Sequence, residues 1–167
     1  MARILYGGLL LVVALAQATV VPAYNPISVQ PNVVLVLILV WSALRGLPEG
    51  LSWAFAVGIL LDVLAVDPLG TNALALLWVV LLAGLSRRRF FQSSLIFPMA
   101  LAVVATVLHG VGLLLLRGGV ADAIPLSALL RFILLQAVLN SIVVPPLYLV
   151  AAAMNRRIAL KRRRYTR

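Results

Sequence analysis

The sequence predicts an all-α integral membrane protein with six transmembrane helices. Three observations carry that reading. Hydrophobic residues make up 64% of the chain and charged residues 11%, against about 25% charged in soluble domains. The apolar residues fall into segments near the ~20 residues a helix needs to cross a bilayer. The basic residues gather in short runs at segment ends, the arrangement that orients a chain in a membrane. The chain is 167 residues long, which at about 20 residues per span leaves almost nothing for an extramembrane domain. A single six-span domain over residues 1–155 is expected, followed by a basic cytoplasmic tail over 156–167. The net charge of +10 would suggest nucleic acid in a soluble chain. Here it marks orientation instead, and no nucleic-acid partner is expected.

The first span is read at residues 4–21, ending at Pro22 before a charge-free loop, VPAYNPISVQPN. It is expected to stay as an anchor, since the chain goes on to further spans. Ala14, Gln17 and Ala18 mark a close-packing face near its far end. The second apolar segment, 33–44, is short. Twelve helical residues cover roughly 18 Å, less than the ~30 Å hydrocarbon core. The third span is read at 51–66, the fourth at 71–86, the fifth at 94–116 and the sixth at 127–155. Charge parity decides whether the second segment crosses. If it does, Arg3, Arg45, Arg87, Arg88, Arg89 and the seven basic residues after Asn155 share one side, twelve of the fourteen Lys and Arg. The positive-inside rule then places both termini in the cytoplasm. Arg117 falls in an outer loop and Arg131 inside the sixth span. That span carries Pro145 and Pro146, which remove backbone donors and predict a kink or break. Asn140, one turn earlier, is expected to satisfy a carbonyl that the prolines release.

Gly50, Ala54, Gly58 and Asp62 recur every four residues, so on a helix they form one ribbon of missing side chains ending in a carboxylate. Such a ribbon lets another helix approach the backbone closely. It serves packing within the chain or reception of a partner helix, and spacing alone leaves both open. A carboxylate in that setting marks a candidate site. Pro68 and Gly70 stop the helix after it. Counting depth from the outer end, Asp62 and Arg131 fall at similar levels, so an ion pair between them is geometrically possible. His109 and Asn140 complete a candidate buried polar cluster, with snorkelling of Arg131 to the headgroups as the plainer alternative.

Chemistry is scarce. The chain has one histidine, four acidic residues and no cysteine, so thiol catalysis is excluded and no metal site or cofactor is expected. No nucleophile–base pair or phosphate loop appears, and an enzyme is not expected. The tail RRIALKRRRYTR and the Arg87–Arg89 triplet read as orientation signals with affinity for membrane lipids.

Pro31–Asn32 followed by VVLVLILVW, then Gly58-Ile-Leu-Leu-Asp62, Pro68-Leu69-Gly70 and NALAL, together resemble the MreD family of rod shape-determining membrane proteins. Asn140 followed by Pro145 fits the same likeness. The resemblance implies a six-helix fold like that of the S-components of energy-coupling-factor transporters. It implies a non-enzymatic part in the rod complex, or elongasome, of the bacterial inner membrane. Partners would be MreC, a bitopic coiled-coil protein, and indirectly MreB, RodA and its transpeptidase. By this likeness Pro31, Asn32, Trp41, Gly58, Asp62, Pro68, Leu69 and Gly70 are the positions expected to matter. The competing reading is a true S-component that captures a vitamin-like ligand near Asp62.

Overall fold

The structure, a computed structural model, describes residues 2–20, 29–92, 94–117 and 125–165. Six α-helices carry the described chain, and no strand occurs among these residues. They are α1 (Ala2–Leu15), which widens into a π-helical turn at Ala16–Val20, α2 (Val33–Arg45), α3 (Leu47–Ala65), α4 (Thr71–Phe90), α5 (Ile96–Arg117) and α6 (Leu126–Tyr165). Most of the loop expected after the first span lies outside the described residues.

The short second segment is the centre of the molecule. Every residue of α2 from Val34 to Leu44 is buried, and the helix packs against all five others. A helix that is apolar all round needs such an enclosure. Its ends meet protein instead of water, so its orphan backbone groups are satisfied locally. The Asn32 side chain accepts from Leu35 N at 2.9 Å, and Val34 N donates to Gln17 Oε1 at 3.3 Å. At the other end Arg87 donates to Leu44 O at 3.3 Å. One residue, Gly46, joins α2 to α3. Its φ of +99° suits glycine, and a Cβ there would press on Arg87 Nη1.

The helices alternate in direction. Gly50 meets Val80 and Gly58 meets Ala73, so α3 and α4 run antiparallel; Gly110 meets Ile133, so α5 and α6 do too. Arg3 pairs with Glu49 and Gly7 lies under Trp53, so α1 and α3 run parallel. Tyr148 stacks on Phe91, which brings the later part of α6 to the C-terminal end of α4. The bundle therefore has an arginine end, with Arg3, Arg45 and Arg87, and an Asp62 end.

Leu47–Ala65, Ile96–Arg117 and Leu126–Ala153 are long and apolar enough to cross a membrane. The outward faces bear Ile4, Phe55, Val63, Leu85, Leu115 and Val150, a surface that suits lipid and would invite aggregation in water. Pro145 and Pro146 do not break the last helix, which continues to Tyr165 beyond its apolar stretch at Leu126–Ala153.

Candidate functional site

The Gly50–Asp62 ribbon closes on its own chain. A Cβ on Gly58 would collide with the Cα and N of Ala73, and one on Gly50 with Ser42 Oγ and Val80. Ala54 is fully buried. The small residues thus seat α3 against α2 and α4. The groove that could have received a partner helix along this face is filled by the protein's own α4.

At the end of the ribbon Asp62 is 0% exposed. It accepts from Gly70 N at 2.7 Å, from Asn72 N at 2.8 Å and from Asn72 Nδ2 at 2.8 Å. Two of those donors are backbone groups at the start of α4, where a negative charge also meets the positive end of the helix dipole. The turn between is shaped to deliver them. Val66 and Gly70 take left-handed φ values of 57° and 96°. Thr71 donates through its N and Oγ1 to Pro68 O, closing the turn over the exposed Pro68 and Leu69. Asn72 Nδ2 also reaches Asp67, which pairs with Arg117 of α5. The Gly58…Asp62…Pro68-Leu69-Gly70…Ala73 pattern is therefore a clasp for one helical hairpin.

The Asp62–Arg131 ion pair does not form. Asp62 is saturated by N–H donors ten residues or fewer away, and Arg131 points outward from α6. Arg131 lines an open groove of about 1050 Å³ with Val29, Phe132 and Leu135. His109 is buried at 3% exposure, and its Nε2 has no partner among the described residues. No hydrogen bond links it to Asp62, Arg131 or Asn140. The four-residue cluster is thus divided among separate places.

Asn140 belongs to a different network, and it does not serve the proline carbonyls. Its Oδ1 accepts from Asn32 N at 2.6 Å and its Nδ2 donates to Thr106 Oγ1 at 2.8 Å. Gln17 Nε2 donates to Asn32 Oδ1 at 3.2 Å, and Gln136 Nε2 to Gln30 O at 3.2 Å. The Pro31–Asn32 pair thereby ties α1, α5 and α6 around the N-terminus of α2. At the opposite end Trp41 stacks on Tyr6 at 3.8 Å, and Arg45 lies over its ring at 5.2 Å. Tyr6 donates to Leu37 O at 3.1 Å. The sequence reading missed Tyr6, Asn72 and Thr106 as partners and noted Gln17 only as packing. Their signal was a polar atom within an apolar helix, which must find a partner there.

Among the described residues no three His, Cys, Asp or Glu side chains gather to hold a metal ion. A family model described as rod shape-determining protein MreD matches residues 1–153. No curated protein and no solved structure matches the chain.

Proposed function

This chain belongs to the MreD family of rod shape-determining proteins, and from that premise we propose that it is a non-enzymatic scaffold of the elongation machinery. It binds MreC, and through it meets MreB, RodA and the associated transpeptidase, helping to control lateral peptidoglycan synthesis. It spans the cytoplasmic membrane six times with both termini inside, which puts the arginine end in the cytoplasm and the Asp62 end outside. The family match over residues 1–153 carries the reading. Two features of the bundle support it. Its polar side chains are largely spent on internal ties, at Asp62 and at Asn140. Its apolar helix faces are turned outward, where partners within the bilayer would meet them.

Purification from native membranes in gentle detergent, with mass spectrometry of the companions, tests the proposal. A single-span protein with a periplasmic coiled coil is expected. Co-purification of a transporter subunit with ATPases would replace the scaffold by an S-component of an energy-coupling-factor transporter. That second reading draws on the groove beside Arg131. The orientation is tested separately. The native chain has no cysteine, so Leu69→Cys and Gln92→Cys give single reporters. Impermeant maleimide applied to spheroplasts should label the first and spare the second.

A further inference from the structure

We propose that the cleft between the last turn of α2 and the C-terminal end of α4 binds the phosphate headgroup of an anionic phospholipid. Arg87 and Arg88 hold the headgroup, and an acyl chain lies along Leu85 and Leu81.

The cleft encloses about 440 Å³ and is lined by Ala43, Leu44, Arg87, Arg88, Phe91 and Gln92. Its two arginines are presented differently. Arg87 is held in place, donating to Leu44 O at 3.3 Å across the space that Gly46 leaves open. Arg88 makes no hydrogen bond or ion pair with any described residue and is exposed. Arg45, at the end of α2, lies over the Trp41 ring and does not line the cleft. No described acid answers these charges. Glu49 is paired with Arg3, while Asp62 and Asp67 lie at the opposite end of the bundle. A guanidinium fork matches phosphate oxygens two at a time.

The apolar part of the site points to a lipid as the source of that phosphate. Leu81, Leu85 and Arg88 share one face of α4, at helical spacings of four and three. Leu85 is 86% exposed and Leu81 41%, so an apolar track leads along the helix to the guanidinium. The wall of the cleft continues it with Leu44 and with Phe91, which stacks on Tyr148. Basic pockets between helices at the cytoplasmic surface are sites for anionic headgroups. The plainer role of the triplet, complementing the dipole at the end of α4 and setting orientation, accounts for the charge. It gives no account of a cleft with a free guanidinium above an apolar track.

The test is lipid titration of the full-length protein by native mass spectrometry, with phosphatidylglycerol and phosphatidylcholine as probes. Phosphatidylglycerol should bind preferentially, and Arg88→Gln should weaken it about fivefold, the worth of one basic residue near an anionic surface. Arg87→Gln/Arg88→Gln should weaken it further. Leu85→Asn should also weaken phosphatidylglycerol, because it interrupts the apolar track. Arg88 has no internal bond to lose, so its variant should melt with the wild type. Unchanged phosphatidylglycerol binding by Arg88→Gln would overturn the site. So would an equal loss in Arg162→Gln/Arg163→Gln, which would make the attraction diffuse. Displacement of the lipid by equimolar inorganic phosphate would show a free-anion site, and displacement by an acidic peptide a protein-docking one; either sinks the lipid assignment.

Discussion

At the Asp62 end, three N–H groups converge on one carboxylate that is sealed from solvent. At the arginine end, Arg88 stands exposed without an internal partner, and the Arg3–Glu49 pair is open to solvent on its arginine side. The two ends place their charges by different physics. A buried carboxylate is tolerable only when hydrogen-bonded, and removing its partners leaves a penalty of several kcal/mol at roughly the scale of buried ion pairs. An exposed pair is screened and contributes little. The Asp62 charge is therefore spent on the fold, while at the arginine end Arg88 is left to meet something outside it.

The comparison can be broken at its strongest point first. Gly58→Leu should abolish the folded state, because the Ala73 backbone cannot retreat from the added side chain. Overpacking of this kind costs about 3 kcal/mol or more. Yield in detergent and the melting temperature are the measurements, and a wild-type melt would show that α3 and α4 do not approach as described. Next comes Asp62→Asn. Its amide can accept from only some of the three donors, and the change should cost about 2 kcal/mol, the worth of hydrogen bonds to a charged group. Asn72→Ala should overlap with it, and a double-mutant cycle reads the coupling. Asn140→Leu should follow at about 1–3 kcal/mol, since it orphans Asn32 N and Thr106 Oγ1 inside the bundle. Arg131→Gln, by contrast, should leave the melt unchanged. The smallest effect is expected at the arginine end. Arg3→Gln should cost under about 1 kcal/mol, and that difference should shrink with added salt. A larger loss there than at Asp62 would reverse the comparison.

The same contrast decides what could be read from the sequence. The ribbon Gly50–Ala54–Gly58–Asp62 was legible because a four-residue recurrence lies on one face of a helix, although spacing left open whether this chain or a partner fills that face. The six helices were legible too, since Pro22, Arg45, Pro68, Gly70 and the Arg87–Arg89 triplet punctuate a largely apolar chain. The partner of Asp62 was not. Depth counting matched it with a distant arginine, whereas the next helix brings Asn72 to it through a five-residue turn. Arg131 was misplaced for a related reason. The buried stripe of α6 runs through Ile133, Ala137, Asn140 and Val144, which turns residue 131 outward. In a helix apolar on almost every side, sequence periodicity does not reveal that phase. Asn140 was read through the prolines nearby, and its real partners lie on α2 and α5, 108 and 34 residues away. Local chemistry gave no sign of them.

The enclosure of α2 bears on how the protein is made. Its 13 residues reach only about 20 Å, short of the ~30 Å core. As a newly synthesised segment it could neither sit stably alone in lipid nor find water for its ends. If the chain spans six times, it would enter the bilayer coupled to α3 through Gly46 and be enclosed only once α4, α5 and α6 pack against it. In a six-span topology, insertion and tertiary assembly would be one event for this segment, in contrast to the two separate stages of ordinary membrane helices. Chains truncated before α5 should consequently be cleared by membrane proteases, even though every segment they contain is apolar.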